Sequence, residues 1–409
     1  MNKKKVVIIG HGFTSRLAVI RSVAQIGCEV TVVVMTQYKK DGKTLRTKKP
    51  IDCYSKYISH VFYCPASDEE ALINLLLESC KDTQQKVVII PDSDFSAATI
   101  DKYQERLKDY FLFPHIHHTP GEIATWMQKP KQKDLAQRIG LNVANGIVVS
   151  ITNHHYIMPN DVKYPCFTKP FATKIGGKRL FRKCKNETTL RKALDYAGNL
   201  HENIQLLVEE YKHIDKEYAV VGFSDGKEAI IPGIIQMIAM AHGGHFGVTC
   251  QGKIMPTKGF EDLISKFKKL ILEIGFWGLF DIDFYESNGK LYFCELNLRF
   301  GGSGYAFTKM GVNLPGIMVK ALYGENTDNM RNCILDEAIF TNERMCLDDW
   351  YMRFISDKEF HQMMKSSDIL FINDNADEGP QKAFRREYFR LFAKRFLKKL
   401  LKKNETNRC

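Results

Sequence analysis

The chain has 409 residues, of which 44% are hydrophobic and 26% are charged, and its formal net charge is +12. This length exceeds the roughly 100–200 residues of one ordinary domain and predicts two or three lobes, while the composition excludes disordered and fibrous proteins. Residues 381–409 hold eleven Lys or Arg against two Glu, a net +9, so only +3 remains on the rest of the chain and no nucleic-acid partner is expected.

The first third of the sequence alternates short β-branched runs with helical patterns, which is typical of a parallel sheet covered by helices. The first strand runs into Gly10-His11-Gly12, a turn at which open α/β sheets leave room for a ligand, although the turn could also serve only to pack the first helix. The second strand ends at Met35-Thr36-Gln37 without an acidic residue, which disfavours a dinucleotide. Strands are predicted at 5–10, 29–35, 58–64 and 86–91, and helices near 15–26, 68–81 and 95–108.

A different pattern begins near residue 125. It predicts a helix at 131–139, followed by strands at 146–150, 166–169, 206–211, 217–222, 280–285 and 291–298. Residues 326–380 show no clear periodicity, and 373–380 has the composition of a linker. We therefore divide the chain into 1–124, 125–325, a C-terminal extension at 326–380 and a basic tail at 381–409.

The cysteines and the apolar runs bear on the compartment. The eleven cysteines are scattered and never form Cys-x-x-Cys, which argues against a zinc ribbon or a disulfide framework and predicts reduced thiols. No apolar run approaches the roughly 18 residues of a membrane-spanning helix, and the apolar stretch after the N-terminal lysines is too short for a signal peptide. We expect a cytoplasmic chain.

The sharpest chemical signal is a predicted acidic hairpin. Side chains alternate along a strand, so Glu295, Asn297 and Arg299 share one face. A three-residue loop ending at Gly289 would set Asp281 opposite Glu295, with Asp283 diagonally beside it. Such an oxygen-rich face suits Mg²⁺ bound to phosphates, although a solvent-facing hairpin with ordinary charges would have the same pattern.

Two upstream segments could serve the same ligand. Lys169 closes a strand and precedes the loop 170–178, whose glycines and lysines could surround phosphate oxygens. Glu209 and Glu210 stand where another strand turns polar. Each segment alone could equally be an ordinary loop or a solvated strand end.

In this order the motifs resemble those of the ATP-grasp ligases, and the resemblance covers residues 5–325. It rests on Lys129 before a helix, Lys169 before a glycine-containing lid, the strand at 206–211, and Asp283 followed by Glu295-x-Asn297-x-Arg299. The resemblance implies a mixed α/β and α+β architecture: a Rossmann-like pre-ATP-grasp domain at 1–124, an ATP-grasp domain at 125–325 with a lid at about 145–212, and a C-terminal basic amphipathic helix.

The resemblance also implies roles for individual residues and a reaction. The cofactors would be ATP and Mg²⁺, or Mn²⁺ in its place, and Arg299 would be the catalytic residue that stabilises charge while a carboxylate is phosphorylated and an amine then displaces phosphate. The metal ligands would be Asp283, Glu295 and Asn297. The ATP-binding residues would be Lys129, Lys169, Gly176, Gly177, Glu209, Glu210, Tyr211, Lys212 and Glu217.

The sequence identifies the second substrate less clearly than the nucleotide. The run from Arg299 to Ser303 and the following 311–315 look most like carboxylate-amine ligases such as D-aspartate ligase, within the branch of carbamoyl-phosphate synthase and biotin carboxylase. The partners would then be an amino acid and an amine on a cell-envelope precursor. Ser303, His242 and His245 could contact them, or 241–247 could be a connecting loop. A non-catalytic nucleotide-binding scaffold is the alternative.

Two further segments remain. The segment Pro91-Asp92-Ser93-Asp94 follows a parallel strand and could line the interdomain cleft or cap the next helix. In the tail, aromatic and leucine residues recur at steps of four among lysines and arginines, which predicts a cationic amphipathic helix and peripheral membrane contact through 381–403. Packing of its apolar face on the protein's own core is the alternative. The oligomeric state stays open.

Overall fold

A computed structural model describes residues 3–11, 13–172, 178–242 and 247–406. Gly176, Gly177 and His245, which the sequence analysis selected, lie outside the described residues. Within the described ranges the strands form sheets of five, four and ten strands.

The first sheet is parallel, with strand order β3-β2-β1-β4-β5. The strands β1, β2 and β4 are largely apolar and buried, as predicted for a parallel sheet covered by helices. The order reverses direction between β1 and β4, which leaves a crevice at the carboxyl ends of these two strands. The elements are β1 (Lys5–Gly10), α1 (Phe13–Gln25), β2 (Glu29–Thr36), β3 (Ile58–Pro65), α2 (Glu69–Leu75) with a π-helical turn at Leu76–Cys80, β4 (Val87–Pro91), α3 (Asp94–Lys102), α4 (Gln104–Leu107) and β5 (Phe111–Leu112).

The second sheet has strand order β10-β9-β11-β8 and carries helix α7 over its buried face. Helix α6 precedes this sheet in the chain. The residue that follows β9 contacts the start of α6, because the backbone N–H of Lys129 donates to the Phe171 carbonyl at 3.0 Å. The elements are β6 (His115–Ile116), α5 (Glu122–Trp126), α6 (Lys129–Arg138), β7 (Asn142–Val143), β8 (Gly146–Thr152), β9 (Cys166–Pro170), β10 (Arg182–Cys184), α7 (Glu187–Leu200) and β11 (Asn203–Glu210).

The largest sheet has the order β19-β18-β15-β14-β12-β16-β17-β7, with β13 paired to β12 and β6 paired to β16. Its elements are β12 (Lys216–Asp225), β13 (Ala229–Ile230), β14 (Ile234–Met240), β15 (Thr249–Met255), α8 (Glu261–Ile274), β16 (Phe276–Ser287), β17 (Lys290–Asn297), α9 (Tyr305–Lys309), α10 (Leu314–Leu322), β18 (Ala338–Thr341), α11 (Glu343–Met352), α12 (Asp357–Lys365), β19 (Ile369–Leu370) and α13 (Glu378–Thr406).

The C-terminal extension is an ordered part of this sheet. Strands β18 and β19 extend it beyond β15. The buried Arg21 of α1 donates to Asp377 at 3.0 Å and to the Phe371 carbonyl at 2.7 Å, which fixes the extension to the first domain. The predicted linker at 373–380 is shorter than expected, because α13 begins at Glu378.

The first half of α13 packs on the protein's own core. Tyr388 lies against Trp350 and Phe360, with ring centroids 5.4 and 5.9 Å apart, and Leu391 is buried beside them. Phe392, one step of four further, is 50% exposed and still stacks on Trp350, with ring centroids 6.3 Å apart. Phe384, at the preceding step of four, also packs against this cluster, so the aromatic series faces the core from 384 to 392.

Among the described residues, no helix combines the length and the apolar character that crossing a bilayer requires.

Candidate active site

The acidic hairpin is present, but its turn differs from the prediction. Asn288 and Gly289 form a two-residue turn with φ of 49° and 70°, as a type I′ hairpin requires. The predicted three-residue loop is therefore wrong, and so is the predicted pairing of Asp281 with Glu295. The Asn-Gly pair favours the tighter turn because both residues tolerate positive φ.

A register shift at Cys294 offsets the change in strand pairing that the shorter turn causes. Phe284 pairs with Phe293, and the next pair is Asp283 with Glu295, so Cys294 is an extra residue on β17. Side chains alternate along a strand, and without this bulge Cys294 would lie opposite Asp283. The bulge therefore brings Glu295 onto the same face as Asp283.

Burial disfavours the charged forms of the two aspartates of β16, Asp281 and Asp283. Burial raises the pKa of Asp281 well above its usual range, and repulsion from Asp283 adds to it. Burial likewise raises the pKa of Asp283 to about 6. Asp281 lies opposite Asn297, and its Oδ1 atom is buried without a hydrogen-bond partner in the part of the chain that the structure describes. A cation at this face would relieve both the burial cost and the repulsion.

Helix α6 presents Lys129 to this face. The Lys129 ammonium forms an ion pair with Glu295 and is itself buried. Burial lowers the pKa of Lys129 to about 8, and repulsion from Lys169 contributes. Gln132 fixes the helix to the strand, because its amide donates to the Leu296 carbonyl at 2.7 Å and accepts from the Leu296 N–H at 2.9 Å.

A second buried charge cluster lies behind Lys129. The Glu209 carboxylate pairs with Lys133 and, at 2.6 Å, with Lys169. Burial lowers the pKa of both lysines, to about 6 for Lys133, which Lys169 also repels. An adenine that contacted Glu209, as predicted, would therefore share this carboxylate with two ammonium groups.

Arg299 joins the hairpin to the first domain. Its Nε atom donates to Asp94 Oδ1 at 2.9 Å, across the junction between the end of β17 and the start of α3. The neighbouring carboxylates Asp94, Asp281 and Asp92 raise the pKa of Arg299 above its usual range against the opposing effect of burial, so the guanidinium is charged.

Asp92 occupies the crevice between β1 and β4. Its side chain is 5% exposed, accepts a hydrogen bond from Ser15, and leaves Oδ2 without a partner among the described residues. Burial raises its pKa to about 7. The second expectation for this segment holds as well, since Ser93 caps helix α3.

These groups meet in a cavity of about 1020 Å³. The first domain, the large sheet and the C-terminal extension all contribute to its wall. Of the residues selected from the sequence, the cavity is lined by Asp92, Asp94, Lys129, Asp281, Asp283, Glu295, Asn297, Arg299 and Ser303, to which the structure adds Ser15 and Arg344. Lys169 does not line it, although the adjacent Pro170 does.

The predicted adenine strand lies close to the site. Glu210 pairs with Lys212 at 2.9 Å, and the Lys183 ammonium stands 3.6 Å from the centroid of the Tyr211 ring. Glu217 is half-buried near Asp283, and burial raises its pKa. These residues form a polar border beside the hairpin, so their predicted contacts with a nucleotide remain predictions.

His242 is held away from the cavity. Its Nδ1 atom lies 2.9 Å from Asp349 Oδ2, its backbone N–H donates to the same carboxylate at 3.0 Å, and its ring stacks on Phe354. Among the described residues that line the cavity, Ser303 is present and His242 is not. The predicted substrate role of His242 has no contact in the structure that supports it.

The donor set fits a partial metal shell. Among the described residues, no three His, Cys, Asp or Glu side chains are arranged as a ready metal site. The predicted set instead combines Asp283 and Glu295 with the amide of Asn297 on one face of the hairpin, which leaves positions for phosphate oxygens and water. The unpartnered Asp281 oxygen beside them supports the fit.

The sequence analysis missed Lys133 and the pairing role of Asp94. Lys133 stands four residues after Lys129, so the two lysines share a face of α6, and that spacing could have identified it. Asp94 comes from another domain, and only the assembled fold brings it to Arg299.

Comparisons with known proteins bear on the fold. No family model matches the chain. The sequence is 24% identical over 335 residues to the carbamoyl phosphate synthase large chain of Clostridium perfringens, which covers 80% of this chain and 30% of that protein. The chain thus spans less than a third of the length of this relative.

Solved structures give matches over most of the chain. An L-amino acid ligase from Bacillus licheniformis has a TM-score of 0.60 at 16% identity, covering 83% of this chain and 80% of that one. The biotin carboxylase domain of 2-oxoglutarate carboxylase from Hydrogenobacter thermophilus, in complex with MgADP, ADP and bicarbonate, has a TM-score of 0.62 at 18% identity, covering 83% and 74%. The chain has the ATP-grasp fold. The predicted fold class is confirmed, whereas the likeness to D-aspartate ligase stays a prediction.

Proposed function

We propose that the chain is an ATP-dependent carboxylate-amine ligase that forms an amide through an acyl phosphate. The observation that carries the proposal is the convergence of the acidic hairpin, Lys129 and Arg299 on one cavity between two domains. The neighbouring structures support it, because they include an L-amino acid ligase and a biotin carboxylase domain in complex with MgADP.

The nucleotide would lie between the hairpin and the second sheet. Lys129 and Lys169 supply positive charge toward its phosphates, and the polar border from Glu209 to Lys212, with Glu217, faces the nucleoside. Asp283, Glu295 and Asn297 would hold Mg²⁺, or Mn²⁺ in its place, and the bound ion would neutralise phosphate charge. Lys129 would then turn from Glu295 toward phosphate oxygens.

The chain's own residues then support two transfer steps. In the first, an oxygen of the carboxylate substrate attacks the γ-phosphorus and the bond to ADP breaks, while Arg299 stabilises the charge on the transferring group. In the second, the amine reacts in its unprotonated form: its nitrogen attacks the acyl carbon, the bond to phosphate breaks, and the departing phosphate takes the surplus proton from the nitrogen. The buried site limits hydrolysis of the acyl phosphate between the steps.

The crevice at β1 and β4 is the best place for the second substrate. Asp92, with an unpartnered oxygen, and Ser303 both line the cavity there. A carboxylate in this position suits an ammonium group, which agrees with an amine acceptor. The joining of an amino acid such as aspartate to a cell-envelope precursor rests on the sequence resemblance alone.

Peripheral attachment to a membrane through 381–403 is part of the proposal. The exposed side chains of Phe389 and Phe392 and the excess of cations on α13 support it. The packing of Tyr388 on Trp350 limits the segment that could reach a lipid surface to the outward side of the helix.

The decisive test is release of ADP by the purified chain with MgATP, D- and L-amino acids and a panel of amines. Release that requires both an amino acid and an amine supports a ligase. Nucleotide binding with no ADP release in any mixture would instead indicate the non-catalytic scaffold.

Two variants connect the activity to the cavity. We expect Glu295→Gln and Arg299→Lys each to lower turnover at least about 100-fold, as loss of transition-state charge stabilisation does. Glu273→Gln removes one charge from the exposed face of α8 and is the matched control. Turnover by Arg299→Lys close to that of the Glu273→Gln control would contradict the assigned role.

A further inference from the structure

A smaller recess of about 200 Å³ adjoins the main cavity and shares Lys48, Lys49 and Glu387 with it. The recess lies between the loop that joins β2 to β3 and the outer side of α13. Four cations and one carboxylate line it, namely Lys48, Lys49, Arg386, Arg390 and Glu387.

The charge of this recess is largely uncompensated. Glu387 already accepts from Arg344 at 2.8 Å, and Arg390 lies 3.6 Å from the same carboxylate. In the described part of the chain, Lys48, Lys49 and Arg386 form no ion pair with a carboxylate. The Lys49 ammonium instead lies 4.8 Å from the centroid of the Tyr54 ring.

The two walls of the recess are fixed to each other. The backbone N–H of Lys56 donates to Asp377 at 3.0 Å, just before α13 begins, and the Tyr57 hydroxyl donates to the Ala376 carbonyl at 3.0 Å. A Cβ atom on Gly379 would lie 1.9 Å from the Tyr54 carbonyl oxygen, so only glycine permits this approach. The two backbone segments that carry these exposed cations are therefore joined to each other beside the recess.

We propose that this recess binds a phosphate or diphosphate group carried by the amine substrate. Guanidinium groups and ammonium groups from two directions are the donors that phosphate oxygens prefer. The shared residues make the recess continuous with the cavity, so a substrate anchored there would extend its amine toward Ser303 and Asp92. This assignment rests on the proposed function and adds the chemical class of the acceptor.

Direct binding tests the recess without relying on turnover. Inorganic diphosphate is titrated into the full chain by calorimetry, with MgADP in excess so that the nucleotide site is filled. We expect Lys48→Ala/Lys49→Ala to weaken binding at least tenfold. Lys39→Ala/Lys40→Ala removes the same charge from the same loop away from the recess, and we expect a change of less than twofold. Equal weakening by both double variants, or no binding to the unchanged chain, would overturn the proposal.

Vesicles distinguish a lipid headgroup from a substrate phosphate. If the recess serves a substrate, Lys48→Ala/Lys49→Ala leaves sedimentation with phosphatidylglycerol vesicles as it is in the Lys39→Ala/Lys40→Ala control. Loss of sedimentation confined to the recess variant would assign the cations to a headgroup and overturn the substrate role.

Enzyme turnover provides a third test of the recess. With phosphoethanolamine and ethanolamine as a matched pair of amines, the recess variant should reduce the preference for the phosphorylated amine at least tenfold, while the KM for ATP stays the same. An unchanged preference would count against the recess. Failure of the unchanged chain to release ADP with any amine would count against the ligase function alone, since diphosphate binding is measured separately.

Discussion

The Nε atom of Arg299 donates to Asp94 Oδ1 at 2.9 Å, and this bond joins the end of β17 to the first turn of α3. Both side chains are about one-fifth exposed, with 23% and 18% of their surfaces accessible. The residue assigned to charge stabilisation is therefore oriented by a carboxylate from the other domain. The same hydrogen bond thus contributes to the contact between the two domains and to the position of the guanidinium.

Replacing Asp94 by Asn should expose that dependence. The amide keeps the shape of the carboxylate and removes its charge, so Arg299 loses the anion that orients it. We expect turnover to fall about 10- to 100-fold, with a smaller change in the KM for ATP, because positioning errors act mainly on the chemical step. Steady-state ADP release at saturating ATP measures the effect.

The exposed Asp109 supplies the matched substitution. Asp109→Asn removes one acidic charge from the same domain at a distance from the cavity, and its kinetics should follow the unchanged chain. If Asp94→Asn behaves in the same way as Asp109→Asn, Arg299 does not need its partner and the orienting role is refuted.

Gln132 gives a prediction about stability. Its side chain satisfies both backbone groups of Leu296 and donates to the Trp126 carbonyl at 2.7 Å. Gln132→Leu leaves these buried groups without partners, and each costs about 1–3 kcal/mol, so we expect a loss of about 2–4 kcal/mol in the free energy of unfolding. Urea unfolding measures it. Gln137→Leu on the exposed face of α6 is the control, and equal stability of the two variants would show that the Leu296 contacts are dispensable.

The acidic hairpin shows how far local patterns reach. Alternation along the strand predicted the polar face correctly because it depends only on neighbouring residues. The predicted pairing of Asp281 with Glu295 was wrong, because the register of the two strands depends on the turn at Asn288 and on the bulge at Cys294. A bulge arises from packing on both sides of the strand, and no periodicity in the sequence marks it.

The tail shows a second limit. The predicted apolar face packs on the protein through Phe384, Tyr388 and Leu391, and Phe392 stacks on Trp350 at its border. Trp350 and Phe360, which receive them, belong to the section without a readable pattern. The sequence could predict the helix, but its docking surface comes from residues whose own fold was not predicted.

Membrane attachment of α13 predicts a specific dependence on its most exposed aromatic residue. Phe389 is 66% exposed, whereas Phe392 stacks on Trp350, so Phe389→Ser alone should leave the packed side of the helix largely intact. We expect sedimentation with anionic vesicles to fall at least about twofold, because less apolar surface enters the interface. Exposed Leu335, changed to Ser, is the control for surface apolarity. Sedimentation that is unaffected by Phe389→Ser would leave α13 as a packing element.

Asp92 predicts how stability varies with pH. Burial raises the pKa of this carboxyl group from 3.8 to about 7 in the folded chain. Below pH 4 the group is protonated in both the folded and the unfolded states and contributes nothing. Between about pH 4 and pH 7 the unfolded chain loses the proton while the folded chain keeps it. The free energy of unfolding therefore falls as the pH rises, and the full cost is present above about pH 7.

Asp92→Asn removes this cost while keeping an oxygen that can accept from Ser15. The variant should be more stable than the unchanged chain at pH 8, by about 2–4 kcal/mol for a pKa shift of this size, and the difference should shrink toward pH 5. Urea unfolding of both proteins across this range measures the difference in the free energy of unfolding directly. The contributions of the other titrating groups cancel in this difference. A constant difference between pH 5 and pH 8 would mean that Asp92 does not titrate there. In the proposed ligase reaction the same substitution would remove the carboxylate proposed to face the amine. A more stable protein with weaker amine binding is therefore the combined outcome that the proposal predicts.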